Sequence, residues 1–120
     1  MATGEIAHVE FPADDVERAK RFYTAVAGWE FGDDAAFPGY FMFRTGPESG
    51  GGLGKRGESV GTVVRAYINV DSLESAVSAA EQNGGQVVTQ ITDVPGTGRF
   101  AAVLDSEGNE IGLWENAPGA

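Results

Sequence analysis

The residue best suited to chemistry is His8, the single histidine of the chain. An imidazole changes its protonation near physiological pH, so His8 could bind a metal ion, act as a general acid or base, or pack without a chemical role. It stands in the segment IAHVEF, which is typical of a short strand. Period two puts His8 and Glu10 on one face and Val9 and Phe11 on the other, so we expect the apolar pair to pack under a helix.

The residues present disfavour several other kinds of catalytic site. The chain has no cysteine, which excludes thiolate zinc sites, disulfides and cysteine nucleophiles. Its serines lack a nucleophile-elbow sequence and a histidine at a recognisable spacing. Asp14 and Asp15 resemble a paired carboxylate, but their position before an amphipathic segment favours helix capping. The stretch GPESGGGLG lacks the Gly-Lys-Ser/Thr ending of a phosphate-binding loop, and we predict a flexible hairpin there.

Length and charge narrow the class of protein. At 120 residues, 42% of them hydrophobic, the chain is long enough for one domain with its own core. Eight basic against eighteen acidic residues give a net charge of −10, which disfavours nucleic acid and anionic membranes and favours neutral or cationic ligands. The beginning, MATGEIAHVEF, shows neither a basic leader nor an apolar run of signal length. We therefore expect a soluble cytoplasmic protein.

The sequence contains an internal repeat with an offset of 57 residues. The segment IAHVEFPADDVERAKRFYTAVAGWEF aligns with VVRAYINVDSLESAVSAAEQNGGQVV, which places His8 on Arg65 and Asp14 on Asp71. Each of these aspartates precedes a glutamate by three residues, a spacing typical of a helix N-cap and its capping box. Small or apolar residues then recur at helical spacing, and glycines end both segments. The helical positions are Val16, Ala19, Phe22, Tyr23 and Val26, and Leu73, Ala76, Val77 and Ala80.

Short strands follow each predicted helix, separated by glycine and proline. The last strand of the second copy, Gly112–Glu115, matches Gly52–Lys55 in the first copy. Each half is thus strand, helix, strand, strand, strand, with module one over about residues 1–58 and module two over about residues 59–120. We interpret the aromatic residues on alternating strand positions, Tyr40 among them, as core, although they could also stack against a flat ligand. Arg99 is most simply a surface arginine, although the glycine-containing loop before it could bring its charge to the cavity mouth. The other predicted strands are Trp29–Phe31, Tyr40–Arg44, Gln86–Ile91 and Arg99–Leu104.

Two modules of this kind resemble the vicinal-oxygen-chelate superfamily of glyoxalases, bleomycin-resistance proteins and extradiol dioxygenases. The resemblance covers nearly the whole chain. Within the superfamily, the chain is most similar to the small glyoxalase-like proteins. It implies an α+β fold in which two tandem βαβββ modules form an open, curled mixed β-sheet barrel with flanking helices, often as a homodimer. The segments that carry it are the first strand with His8, PADDVERAKRFYTAVAGWEF, AYINVDSLESAVSAAEQNGGQVV and VPGTGRFAAVLDSEGNEIGLWE.

The resemblance also implies where a metal ion would bind. Metal-dependent members take ligands from each first and each last strand, and the matching positions here are His8, Lys55, Arg65 and Glu115. Only His8 and Glu115 can bind a divalent cation, because lysine and arginine are protonated and offer no lone pair. A catalytic ion usually has at least three protein ligands. We therefore predict no cofactor, and a divalent metal is disfavoured.

The same four positions, together with Tyr67, are predicted to line a ligand pocket. Arg65 and Tyr67 share a strand face by period two. We predict that Arg65 pairs with Glu115 across the cavity, which leaves His8 and Lys55 to contact a ligand or each other's neighbours. A vestigial site in which all four residues are only hydrogen-bonded fits the sequence equally well.

Three functions remain open from the sequence. In the first, the protein binds a small organic molecule without a metal ion and sequesters or carries it, as bleomycin-resistance proteins of the superfamily do. In the second, it is a glyoxalase-like lyase, isomerase or dioxygenase that uses His8 and Glu115 in an incomplete metal site, or His8 alone as a metal-free general base. In the third, it is a structural or regulatory module. The missing metal ligands and the acidic composition favour the first function.

Overall fold

The computed structural model describes residues 2–33 and 37–119. It confirms the predicted fold class, because the chain is α+β and consists of two βαβββ modules. Residues Ala7–Arg65 form one compact unit, and Ala66–Ala120 form the other together with Met1–Ile6. None of the described helices combines the length and the apolar character that a membrane span requires.

The order of elements is the same in both modules. The strand predicted over Trp29–Phe31 begins later, at Gly32, and the other predicted strands agree with the structure to within a few residues. The first module consists of β1 (Ile6–Ala13), α1 (Val16–Ala27), β2 (Gly32–Asp33), β3 (Tyr40–Arg44) and β4 (Gly50–Lys55). The second consists of β5 (Arg65–Asn69), α2 (Leu73–Gln82), β6 (Gln86–Val94), β7 (Gly98–Leu104) and β8 (Glu110–Asn116).

The two modules also share one strand topology. In the first module β4 lies between β1 and β3, parallel to β1 and antiparallel to β3, and β2 pairs with β3. In the second module β8 lies between β5 and β7, parallel to β5 and antiparallel to β7, and β6 pairs with β7. The last strand of each module is therefore hydrogen-bonded along both edges. The repeat in the sequence is a repeat of topology.

Both helices begin one residue later than predicted. The N-cap of α1 is Asp15 rather than Asp14, and the N-cap of α2 is Ser72 rather than Asp71. Each capping side chain accepts a hydrogen bond from the backbone N–H three residues further on. Gly28 ends α1 in the left-handed conformation, as predicted. Because the cap moves by one residue, the side chain of Asp14 takes part in other contacts.

The core of the second module lies between α2 and its sheet. Its buried residues are Leu73 at the start of α2, Ala101 and Val103 on β7, and Leu113 on β8. The three other α2 positions that periodicity placed in the core pack against this cluster. The predicted apolar face of α2 is therefore confirmed, since helical spacing brings these side chains onto one side.

The core of the first module is aromatic. Phe43 is only 4% exposed and stacks on Trp29, with ring centroids 4.1 Å apart. Phe11 of β1 packs against Trp29 and against Tyr23 of α1. Phe11 thus lies on the helix-packed face of β1, as period two predicted.

Two positions of α1 contradict the predicted apolar face. Phe22 and Val26, which helical spacing placed in the core, are 58% and 69% exposed. The helix packs instead through Tyr23 and through Lys20, whose ammonium lies 3.5 Å from the centroid of the Phe41 ring. Periodicity identified the helix, but the sheet covers only part of its apolar surface.

A glycine in the last strand of each module lies under a tyrosine ring. A Cβ at Gly52 would overlap the phenol of Tyr40, and a Cβ at Gly112 would overlap the ring of Tyr67. Glycine is required at both positions because of this close approach. The predicted flexible hairpin is therefore wrong in extent, since the glycine run belongs to the central strand β4 and the turn is confined to Thr45–Ser49.

Replacing the most buried side chain of the second core tests this packing. Leu73 is fully buried, and Leu73→Ala should lower the free energy of unfolding by about 2–5 kcal/mol, measured by urea denaturation. Val88→Ala is the matched control, because Val88 is 47% exposed and its truncation should change stability by less than about 0.5 kcal/mol. A loss at Leu73 no larger than the loss at Val88 would contradict the core assigned to α2.

Candidate functional site

Strand pairing decides which residues of the first module share the surface of His8. Along β1 and β4, His8 is opposite Gly50 and Glu10 is opposite Gly52. Side chains of directly paired residues point to the same side of a sheet, so His8 and Glu10 share a face with these glycines. Lys55 is three residues beyond Gly52 and therefore lies on the other face, which α1 covers. The prediction that Lys55 shares the surface of His8 is wrong.

The second module has the same arrangement. Tyr67 is directly opposite Gly112, so these two residues share a face. Arg65, two residues before Tyr67, belongs to that face by alternation. Glu115 is three residues beyond Gly112 and lies on the other face, with Leu113 of the core. Glu115 therefore does not share the face of Arg65 and Tyr67, with which it was predicted to line one pocket.

In each module, the last-strand residue that shares a face with the polar residues of the first strand is therefore a glycine. This position is Gly52 in the first module and Gly112 in the second. The repeat aligns these two glycines, so the signal was present in the sequence. Only the register shows that they, and not Lys55 and Glu115, are turned toward that surface.

His8 is held by Tyr40. The His8 Nε2 atom and the Tyr40 hydroxyl oxygen are 2.6 Å apart, and the two ring planes are inclined by 9° with centroids 6.2 Å apart. Burial lowers the pKa of His8 below its ordinary value, because an imidazolium is poorly solvated there. His8 is therefore a neutral imidazole at physiological pH. Sequence reasoning grouped Tyr40 with the core aromatics, and its hydroxyl contact became visible only in the fold.

Arg65 forms a buried ion pair with Glu10. Arg65 Nη1 lies 3.9 Å from Glu10 Oε1, and each side chain is only 10% exposed. Opposite charges at this distance offset part of the cost of removing both groups from water. The predicted pair of Arg65 with Glu115 is therefore wrong, since Glu115 is bound by other groups.

Glu115 belongs to a charged network at the start of α2. Its Oε1 accepts a hydrogen bond from Leu73 N at 2.9 Å, and its Oε2 accepts two from Arg99, from Nε at 3.1 Å and from Nη2 at 2.8 Å. Arg99 also binds Glu74 through two parallel hydrogen bonds of 2.8 and 3.0 Å. The network ties β7 and β8 to the first turn of α2. The sequence predicted a surface position for Arg99, with the cavity mouth as the alternative, and did not predict its pairing with Glu115 and Glu74.

The network changes the ionisation of its members. The backbone N–H of Leu73 and the guanidinium of Arg99 lower the pKa of Glu115. The hydrogen bonds from Arg99 lower the pKa of Glu74 to about 2. These two carboxylates in turn raise the pKa of Arg99. All three groups therefore stay charged at physiological pH.

Lys55, which matches Glu115 in the repeat, also binds near the start of its module's helix. Lys55 Nζ donates to the backbone oxygen of Asp14 at 2.8 Å, and Arg56 Nε donates to Asp14 Oδ1 at 2.9 Å. Asp14 directly precedes the N-cap of α1. Two cations thus fix this segment in the first module, where an anion does so in the second.

Two open clefts lie beside these residues, one in each module. The first has a volume of about 250 Å³ and lies at the turn between β3 and β4, where His8, Met42, Arg44, Glu48 and Ser49 contribute side chains to its wall. The second has a volume of about 360 Å³ and lies between the β6–β7 turn and the end of β8, with Arg99, Glu115 and Asn116 in its wall.

The donor groups do not fit a divalent metal ion. Within residues 2–33 and 37–119, no three histidine, aspartate or glutamate side chains are grouped as ligands. Both oxygens of Glu115 accept hydrogen bonds from Leu73 and Arg99, and a metal ion there would face the Arg99 guanidinium. Lys55 and Arg65 carry positive charge and would also repel a cation.

Comparison with known proteins shows the family. A model of the Glyoxalase/Bleomycin resistance protein/Dioxygenase superfamily matches residues 5–113. The chain belongs to this superfamily. It is 34% identical over 114 residues to a glyoxylase-like domain-containing protein of Didymella fabae, covering 88% of this chain and 89% of that protein. It is 30% identical over 115 residues to the putative glyoxylase CFP32 of Mycobacterium tuberculosis, covering 89% of this chain and 44% of that protein. The superfamily member thus spans less than half the length of the mycobacterial relative.

Solved structures share the fold. A hypothetical protein from Bacillus halodurans gives a TM-score of 0.71 at 14% identity, covering 99% of each chain. A variant of Streptomyces coelicolor methylmalonyl-CoA epimerase in complex with 2-nitronate-propionyl-CoA gives a TM-score of 0.66 at 14% identity, covering 97% of this chain and 96% of that chain. At this identity the likeness establishes the architecture alone.

Replacing Arg99, the central arginine of the network, should lower the stability of the fold at neutral pH more than at low pH. The lowered pKa of Glu74 stabilises the fold above the ordinary glutamate pKa of 4.5, and this contribution is lost as pH falls through about 2. Arg99→Gln should therefore lower the urea midpoint at pH 7, and the difference from the unmodified protein should shrink as pH falls from 4.5 toward 2.

Arg44→Gln is the matched control for this measurement. Arg44 is exposed, donates to Pro47 O at 2.8 Å and has no ion pair within the described residues. Its replacement should leave the urea midpoint nearly unchanged at every pH. A stability difference for Arg99→Gln that stays constant between pH 7 and pH 2 would argue against the charged network.

Proposed function

We propose that this superfamily member binds a small organic molecule without a metal ion and sequesters or carries it. The observation that best supports the proposal is the engagement of Glu115, whose two carboxylate oxygens accept hydrogen bonds from Leu73 and Arg99. Of the four positions matched to metal ligands, Lys55 and Arg65 are cations. Only His8 then remains, and a single imidazole does not hold a catalytic divalent ion.

We place the ligand on the surface that carries His8 and Tyr40. The imidazole and the phenol offer groups that can donate and accept hydrogen bonds. The glycines of β4 leave its backbone without side chains on this face, and a cleft of about 250 Å³ opens beside His8. This volume is slightly below the usual range of ligand pockets, so the cleft would take a small molecule or one end of a larger one. Arg65 and Tyr67 stay predicted ligand contacts.

The charge of the protein bears on the ligand's charge. The net charge of −10 favours a neutral or cationic ligand over an anionic one. His8 adds no positive charge at physiological pH, and the charge of Arg65 is offset by Glu10. The homodimer and the cytoplasmic location stay predictions, and light scattering coupled to size-exclusion chromatography would test the first of them.

A metal-free enzyme is the second candidate function, and the contact between His8 and Tyr40 favours it. A neutral histidine hydrogen-bonded to a tyrosine hydroxyl can accept a proton from a substrate and return it elsewhere. The relatives described as glyoxylase-like make a lyase or isomerase the reaction classes to assay. Turnover that disappears in His8→Ala while the fold is retained would establish this alternative.

Metal content distinguishes the metal-dependent from the metal-independent function. We expect protein purified without a histidine tag to retain far less than one equivalent of zinc, nickel, manganese or iron after incubation with each ion, measured by elemental analysis. His8→Ala should leave these low values unchanged, because within residues 2–33 and 37–119 no three histidine, aspartate or glutamate side chains are grouped as ligands. Near-stoichiometric metal that is lost in His8→Ala would overturn the proposal and favour the metal-dependent alternative.

Ligand binding should appear as a gain in thermal stability. A compound that binds the native state at 100 times its dissociation constant adds about 2.7 kcal/mol to the free energy of unfolding, so a screen of neutral and cationic aromatic compounds by thermal shift should find stabilisers. His8→Ala should abolish their effect, and Arg21→Ala, on the exposed side of α1, should not. Shifts of equal size in both variants would place the ligand away from His8.

A further inference from the structure

We propose that Tyr40 is the positioning residue of the His8 site. Its hydroxyl donates a hydrogen bond to His8 Nε2 and thereby holds the imidazole in one orientation, as the tautomer that carries its proton on Nδ1. The inference deepens the proposed binding function, and its meaning for ligand recognition rests on that function. The pairing itself can be tested without any ligand.

The relative placement of the two rings supports a hydrogen bond between the Tyr40 hydroxyl and His8 Nε2. The rings are nearly parallel, at 9°, yet their centroids are 6.2 Å apart while their polar edges approach to 2.6 Å. This combination describes two rings that meet end to end, and not one above the other. In this arrangement the hydroxyl approaches Nε2 from the outer edge of the imidazole, on the side of the Nε2 lone pair.

Gly52 of β4 leaves room for the phenol of Tyr40. The phenol end of Tyr40 lies directly over Gly52, where any Cβ would overlap both Cζ and the hydroxyl oxygen. Gly52 is on the same face as His8, because it pairs with Glu10 two residues further along β1. Because Gly52 has no side chain, the Tyr40 ring packs directly against the backbone of β4. Its hydroxyl then lies within hydrogen-bonding distance of His8 on β1.

The direction of the hydrogen bond determines the tautomer of His8. A phenol is a stronger proton donor than the N–H of a neutral imidazole, so the hydroxyl donates and Nε2 accepts. In a neutral imidazole whose Nε2 is an acceptor, the proton must be on Nδ1. Burial disfavours the imidazolium as well, so both effects act in favour of the neutral ring.

The charged groups around His8 do not reverse this preference. Glu10 lies two residues along the same face and is paired with Arg65. Arg44 and Glu48 lie in the wall of the adjoining cleft, with one charge of each sign. No unbalanced negative charge among these groups draws a proton onto His8. The site thus holds a neutral imidazole in a fixed orientation, which suits a neutral ligand better than an anion that requires an imidazolium.

Because the chain has a single histidine, nuclear magnetic resonance of its imidazole nitrogens reports on His8 alone. In the unmodified full-length protein at neutral pH we expect Nε2 to show the chemical shift of an unprotonated nitrogen and Nδ1 that of a protonated one. In Tyr40→Phe the hydrogen bond from the phenol to Nε2 is lost, so the share of the Nε2–H tautomer and the pKa of His8 should both rise. Tyr23→Phe, which removes a hydroxyl from the aromatic core, should change neither quantity.

A steric variant tests the same inference without changing either ring. Gly52→Ala should displace Tyr40 from β4 and reproduce the tautomer change seen in Tyr40→Phe. Gly32→Ala is its control, because a Cβ at Gly32 would meet no atom within 4 Å. If Gly52→Ala does not fold, the comparison of Tyr40→Phe with Tyr23→Phe still decides the question.

Two results would overturn the inference. The first is a protonated Nε2 in the unmodified protein at neutral pH, which would mean that His8 donates to Tyr40. The second is a tautomer and a pKa that remain the same in Tyr40→Phe. Neither result would disprove ligand binding, which the thermal-shift screen tests separately. Conversely, a screen without stabilisers would count against the proposed function and leave the pairing of His8 with Tyr40 intact.

Discussion

The alternation of side chains across a doubly paired strand is the constraint on which this structure depends. In each module the last strand is hydrogen-bonded along both edges, so its register fixes which side chains face the helix. Gly52 and Gly112 fall on the face away from the helix, and each admits a tyrosine ring there. A shift of one residue would exchange the faces and turn charged side chains toward the surface where those rings lie. The polar surface and the hydrophobic core are thus set by one register.

The charged residue on the helix-facing side of the last strand differs between the two modules but has the same structural role in both. Lys55 and Glu115 occupy matching positions, and each contacts the beginning of its module's helix. A carboxylate is favourable beside the free N–H groups of a helix start, and Glu115 binds one of them directly. Lys55 uses instead the carbonyl oxygen of Asp14, before the first helical turn. These residues hold helix to sheet, which explains why side chains that match metal-ligand positions are committed elsewhere.

The surface around His8 has a different character from the protein as a whole. The chain is strongly acidic, yet the groups near His8 include a neutral imidazole, a phenol and an ion pair between Glu10 and Arg65. On the proposed function, such a surface would distinguish ligands by the placement of hydrogen-bonding groups more than by charge. The net charge of the chain acts at longer range and disfavours the approach of anions.

Local sequence patterns are enough to identify the repeat, the order of elements in each module and the family, and His8 is the only histidine of the chain. These patterns are periodicity, turn residues and the spacing of capping groups. The sequence also showed that lysine and arginine stand where metal ligands would be. The pairing of Glu115 with Arg99 instead of Arg65, and the contact of Tyr40 with His8, become visible only in the folded chain. Such contacts join residues far apart in the chain, and they depend on strand register and on the side of each strand that a helix covers, which no local pattern records.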